Sequence, residues 1–218
     1  TMFVAILFLA AILMSKSRGG IASLVFCVAA LVLLHKEQGQ KTIVIALIVL
    51  IVLAVGFSVW LGVDPIPTRF ADLPGDVAQS GSRPDVWMHT VKMIPHAPVF
   101  GYGAGTFGDA FRSAVQGKVM ARYLHAHNDY LEIAVETGFV GFVLLFAGIL
   151  WTLKRTFVMR RERNSRFARL LPLGMALAAG AMLFHGLTDF CLQIPANRLT
   201  FFALLGLGYL TAGRRMTR

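Results

Sequence analysis

Charge is scarce in this chain, and acidic charge scarcest: only 15% of the 218 residues are Asp, Glu, Lys or Arg, with 11 acidic against 21 basic groups. An average soluble domain carries roughly one-quarter charged residues, so a water-soluble globular fold is excluded. Cysteine is nearly absent. Cys27 and Cys191, far apart and without metal-ligand spacing, make neither a disulfide framework nor a zinc site, and read as small core residues. The chain lacks a nucleotide-binding motif, an internal repeat and a low-complexity tract. It also lacks any alternating strand pattern long enough for a membrane barrel. No basic n-region or small-residue cleavage site accompanies the first apolar run, which begins beside Thr1, so a signal peptide is not expected. The chain reads as the C-terminal part of something longer.

Apolar residues take the place of charge, at 56% with a mean hydropathy of +0.68. Apolar runs recur at 2–14, 21–34, 42–62, 133–153, 170–187 and 199–210, where a full span needs about 20 residues and a shorter one about 17. The expected fold is all-α: a polytopic transmembrane helical bundle of about six helices. Three lie in 1–62, a long loop occupies 63–128, and three more with a tail fill 129–218. The net charge of +10 raises nucleic acid as a partner until the charges are placed. "KRTFVMRRERNSRFAR" holds seven Lys/Arg against one Glu, and "GRRMTR" adds three. The positive-inside rule puts both in the cytoplasm, at the surface of the membrane lipids. From 63 through Asp129, by contrast, six Lys/Arg are matched by six Asp. Nucleic acid is therefore not an expected partner.

Alternation of the helices then sorts the unusual polar residues onto one side. "SKSRGG", the loop with "SRPDVW" and "HAHNDY", and "HGLTDF" all fall on the outer face. The loop is too long to be structureless. "RPDVWMHTVKMI" has Val86, Val91 and Ile94 with Trp87 and Met93 near helical spacing, and Pro84 at a first helical position. "PHAP" stops it, four glycines follow in "FGYGAGTFGDAF", and "GTFGDAFRSAV" reads as a second short helix.

Asp129 and Glu132 read as a D-x-x-E cap, which puts His127 and Asn128 just before the first turn of the fourth helix. The positive end of that helix disfavours an imidazolium, and a neutral imidazole is suited to accept a proton. The alternative is that His125, His127 and Asn128 only cap a helix at a polar interface. Metal binding is the weaker reading, because histidines two apart share no helical face and no third ligand lies near in sequence. Glu132 and Glu136 lie one turn apart on one helix, which does not suit glycosidase chemistry, where two carboxyls must flank a bond. Structural or substrate-orienting roles fit them better, with Glu136 facing a watery cavity rather than lipid.

Arg18, Arg69 and Arg83 carry planar guanidinium groups suited to phosphate oxygens, and would make a diphosphate site if they converge. Arg18 could equally snorkel to lipid phosphates. His185 and Asp189, four apart, read as a polar pair closing the bundle. Gly138, Gly141, Gly148, Gly174 and Gly180 read as points of close helix packing.

In order along the chain, "SKSRGG", "SRPDVW", "PVFGYGAGTF", "HAHNDYLEIAVETGFVGF" and "HGLTDFCLQIPANRLTFF" resemble the C-terminal region of bacterial O-antigen ligases and O-antigen polymerases. The resemblance covers nearly the whole chain, and its most specific part is His-Asn-x-x-Leu-x-x-x-x-Glu-x-Gly. It implies a GT-C-like inner-membrane glycosyltransferase that takes a glycan from an undecaprenyl diphosphate carrier on the periplasmic side. The implied acceptor is lipid A–core in ligases, a second carrier-linked unit in polymerases, or a protein in related enzymes. It assigns the base to His127 with His125 as fallback, and the diphosphate to Arg18, Arg83 and Arg69. Asn128 and Glu132 fall beside the substrate, and no metal or cofactor is implied. A reading of another class is a non-catalytic subunit that binds or moves the lipid carrier, but a transporter would place ionisable groups near the midplane rather than at one face.

The topology has a direct check. Cysteines placed at Arg161 and at Gln79 are expected to react with impermeant maleimides from opposite sides of the membrane; labelling of both from one side would contradict it.

Overall fold

The computed structural model of the protein describes residues 2–15, 17–34, 82–115 and 123–213. The expected helix at 42–62 and Arg69 lie outside the described residues. The chain divides into two compact units, Thr1–Ala78 and Gln79–Arg218. All described regular structure is helical, as the composition requires.

In the first unit, α1 (Met2–Met14) and α2 (Arg18–Leu34) pack against one another. Ser17 separates them: its Oγ accepts the Gly20 amide at 3.0 Å and so satisfies one of the free N–H groups that open α2. Arg18 is the first residue of α2.

The second unit begins with two short helices, α3 (Arg83–Met93) and α4 (Phe107–Val115). Pro84 stands in the first turn of α3, where its missing N–H costs nothing, and a 3-10 turn, Ile94–His96, follows. Three longer helices come next: α5 (Asp129–Arg161), α6 (Arg166–His185) and α7 (Pro195–Gly213), with a 3-10 turn, Cys191–Gln193, before α7. Among the described residues, α5 and α6 are the two helices long and apolar enough to cross a membrane.

The three long helices extend past their apolar runs. The basic stretch expected as a connection is mostly helix, and only residues 162–165 join α5 to α6. Arginine is a good helix former, and Arg160 and Arg161 sit favourably at the negative end of α5. Ser165 then caps α6 by accepting the Ala168 amide at 3.1 Å.

Two apolar clusters hold the second unit together. Ile149, Ala179, Cys191, Leu192, Phe201 and Leu205 form the core of the α5–α6–α7 bundle. Val86, Met93, Phe107, Phe111, Val115, Ala126 and Val135 form another, which fastens α3, α4 and the segment before α5 to the first turns of α5. The expected short helices of the outer loop thus have a core of their own.

α5 is broken. Gly138 has φ 62° and ψ −169°, a conformation essentially reserved for glycine. The sequence reading made Gly138 a packing contact; it is where one helix stops and the next begins. The free backbone groups at the break are taken by residues 98–103. Tyr102 and Gly103 donate to the carbonyls of Val135 and Glu136, both at 2.9 Å, while Phe139 and Val140 donate to those of Pro98 and Val99 at 2.8 and 3.1 Å. Such pairing is required wherever water is excluded. Gly101 and Gly138 let the backbones approach: a Cβ on Gly138 would lie 2.5 Å from the Gly101 nitrogen and the Val99 carbonyl. Gly148 and Gly174, also expected at packing contacts, face open space, whereas Gly208 brings α7 against Met175 of α6.

Gly138→Ala is therefore expected to destabilise the protein by roughly 3 kcal/mol or more, read as a lowered melting temperature in detergent. Gly148→Ala has room for its methyl group and gains helix propensity of up to about 1 kcal/mol, so its melting point should stay level or rise. Equal effects would contradict the break.

Candidate functional site

The site forms where the start of α5 meets the end of α6. Asn128, not Asp129, is the N-cap of α5, because its Oδ1 accepts the Tyr130 and Leu131 amides at 3.0 and 3.1 Å. Asp129 turns inward and accepts the Leu192 amide at 3.0 Å and the Cys191 thiol at 3.4 Å. Cys191 is buried, as expected of a small core residue, and burial followed by the Asp129 charge pushes its thiol up to about 12. It stays a donor.

Three consecutive carbonyls at the end of α6 are each taken by this region. Gly186 accepts the Asp129 amide at 2.8 Å, Leu187 accepts Asn128 Nδ2 at 2.8 Å, and Thr188 accepts Arg83 Nη1 at 2.8 Å. The negative end of α6 is thereby neutralised by donors from α3 and from the entrance to α5. The turn that follows carries Asp189 into the centre.

Asp189 was expected to pair with His185 along one helical face. The helix ends at His185, so Asp189 leaves that face, and His185 Nε2 stands 3.9 Å from its Oδ2. Closer to it are His127 Nδ1, 3.4 Å from Oδ1, and Arg83 Nη2, 3.3 Å from Oδ2. At 3.4 Å the His127 contact is longer than the hydrogen bonds around it. Together with the Phe190 amide at 3.0 Å and the Arg83 guanidinium, it holds the Asp189 carboxyl down at about 2 against the opposing effect of burial. The carboxylate is ionised at neutral pH.

His127 is the one non-glycine residue with positive φ, 51°, among the described residues. For a histidine that conformation is uncommon and costs of order 1 kcal/mol. Trp87 of α3 fixes it by donating Nε1–H to the His127 carbonyl at 3.2 Å, and the edge of Phe190 meets the ring at 4.9 Å. His125 stacks on the same Phe190 ring at 4.4 Å, with Nδ1 2.8 Å from Glu132 Oε1. The other Glu132 oxygen accepts the Ala126 amide at 2.8 Å. Glu132 is fully buried and organises the loop with both oxygens. Glu136, expected to face a watery cavity, is buried too, and accepts the Phe107 amide at the start of α4 at 3.1 Å.

Of the residues singled out from sequence, His125, His127, Asn128, Glu132 and Arg83 come together here. Arg18 belongs to the first unit. Three participants were not assigned to the site from sequence: Asp189, which brings His127 and Arg83 together; Phe190, which spaces the two histidines; and Trp87. The "HGLTDF" and "SRPDVW" segments held all three, but their long-range pairing carries no local signal.

Comparison with known proteins identifies the family. Residues 3–146 match a family model described as O-antigen ligase, a stretch that begins in α1, includes Arg83, His125 and His127, and ends within α5 before Asp189. A curated relative from Haemophilus influenzae, named only as an uncharacterised protein, is 29% identical over 206 residues, covering 88% of this chain and 52% of the relative. The chain spans about half the length of that relative.

The lowered Asp189 carboxyl fixes the sign of a pH effect. A carboxylate held below its ordinary range of about 4 adds stability above that range and loses it as pH falls. The melting-point advantage of the wild type over Asp189→Asn should shrink as pH falls from about 4 and close as it approaches 2. An advantage that persists unchanged at the acid end would contradict the ionised hub.

Proposed function

Since the chain belongs to the O-antigen ligase family, we propose that it works in transfer of a glycan from a lipid diphosphate carrier to an acceptor hydroxyl, on the periplasmic face of a bacterial inner membrane that it crosses several times. The carrier is undecaprenyl diphosphate and the acceptor lipid A–core. A second carrier-linked glycan, as in polymerases, or a protein hydroxyl are the alternatives within the family. The observation that carries the reading is the shared carboxylate: Asp189 faces His127 and Arg83 at once.

That arrangement suits a displacement at a sugar carbon bearing a diphosphate. With Nδ1 turned to an ionised carboxylate, the imidazole keeps its hydrogen on Nδ1 and leaves Nε2 as the acceptor. Nε2 takes the proton of the acceptor hydroxyl while that oxygen forms its bond to the anomeric carbon, and the carbon–oxygen bond to the diphosphate breaks. The diphosphate leaves with the bonding electrons. It needs orientation and positive potential rather than a proton. Arg83 supplies the N–H groups not used on Thr188 and Asp189, and the start of α5 adds the positive end of its dipole. Arg18 and Arg69 carry the same assignment on the resemblance alone.

His125 also has a carboxylate partner, Glu132, and stands as the fallback base. What favours His127 is that its carboxylate is also the one holding the arginine. Asn128 and Glu132 serve substrate by holding the loop. A subunit that only bound the carrier would have no use for an oriented proton acceptor.

The test is transfer by the purified chain in bilayers, with carrier-linked glycan as donor and lipid A–core or a second carrier-linked unit as acceptor. His127→Ala should lower transfer by about 10² to 10⁴ with donor binding nearly intact, and His125→Ala should do less. Arg83→Ala should weaken donor binding by roughly ten- to a hundredfold, with Arg83→Lys between it and the wild type. Normal transfer by His127→Ala would remove it as the base, and loss in His125→Ala alone would move the role there.

A further inference from the structure

α3 carries apolar residues on two sides. Val86, Thr90 and Met93 are buried in the outer core, whereas Met88 and Val91 on another side are each 50% exposed. Asp85, His89 and Lys92 run between the two stripes at helical spacing. In the turn after α3, Val99 is 50% and Phe100 76% exposed. A folded outer loop in water has no reason to hold a phenylalanine out in this way.

The attachment of that turn to α5 points to what covers it. Phe139 and Val140 donate their amides to Pro98 and Val99, so Val99 and Phe100 stand level with the first turn beyond the break. From there α5 runs as residues 139–161, longer than the about 20 residues a span needs. Its exposed side chains begin at once with Phe139, at 71%, and continue through Val143 and Leu144. The apolar surface of the outer loop is therefore continuous with the side of α5 that would face lipid.

We propose that Met88, Val91, Val99 and Phe100 form a wedge inserted into the bilayer leaflet on the side of the α5 N-terminus. The apolar side chains lie at the boundary between headgroups and acyl chains, with exposed Arg83 and Lys92 at headgroup level, as in helices that lie in the interface plane. Continuity favours lipid over a protein partner, because a partner covering Phe100 would also have to cover Phe139 within the bilayer. The wedge pins α3, whose first residue is Arg83 and whose Trp87 holds His127, at the depth where a lipid-borne phosphate lies. It rests on the span of α5 and not on the transfer reaction.

Trp in place of Phe100 tests it in the full chain, reconstituted in phosphatidylethanolamine and phosphatidylglycerol vesicles. The added emission is read against a parent with the native tryptophans, with Leu144→Trp as the lipid-facing reference. Phe100→Trp should emit to the blue and lose most of its added emission to lipids brominated near the glycerol end of their chains, while aqueous iodide has little effect. Quenching by iodide and not by brominated lipid would overturn the wedge by placing the turn in water. Quenching by neither would overturn it by placing the turn under another protein surface. Both outcomes can be read whether or not the protein transfers glycan.

Discussion

One carboxylate organises the end of the second unit where α5 begins and α6 ends. Asp189 gathers groups from three separate stretches of chain: Arg83 from the start of α3, His127 from the loop before α5, and His185 from the last turn of α6. A partly buried carboxylate facing several donors is favoured as the anion, and it lies 3.4 Å from the imidazole and 3.3 Å from the guanidinium. The backbone prepares the place for it. Three successive carbonyls at the end of α6 are bonded by the Asp129 amide, Asn128 and Arg83, so the turn bearing Asp189 has little freedom. Asp129 closes the other side by holding the amide of Leu192.

The break in α5 gives this cluster a rigid platform outside the apolar part of the helix. A continuous helix would offer no backbone groups to residues 98–103. Interruption at Gly138 frees carbonyls and amides, and residues 98–103 fill them, so the loop is joined to the helix by main-chain bonds as well as by the cluster around Phe107 and Phe111. Glu136 adds a further tie by capping α4. The uncommon backbone of His127 persists because these contacts, with the bond from Trp87, leave it no relaxed alternative.

Much of this was legible before the structure, and the physics explains which parts. The all-helical class followed from composition, the limits of α1 from its apolar run, and the starts of the two short outer helices from Pro84 and from the glycines before Phe107. That His125, His127, Asn128 and Arg83 could meet was allowed by the topology and implied by the resemblance, while their spacing said nothing of it. The break at Gly138 was not legible, because a glycine within an apolar run is usually tolerated inside a helix and its φ is set by a segment 35 to 40 positions earlier in the chain. The end of α5 and the start of α6 ran past the apolar runs because arginines that mark a membrane boundary are also good helix formers. Asp189 was misjudged for a simpler reason. Spacing of four from His185 suggests a shared helical face, and only the end of α6 at Gly186 turns the carboxylate toward a partner 62 positions away.

The central claim is that Asp189 orients His127 as a proton acceptor, and the tautomer of that ring tests it most directly. Nitrogen-15 NMR of histidine-labelled protein in detergent, with His127 assigned by its loss in His127→Ala, should show the neutral ring protonated on Nδ1 in the wild type. In Asp189→Asn that preference should weaken or reverse. A neutral His127 protonated on Nε2 in the wild type, or a tautomer indifferent to Asp189→Asn, would contradict the account.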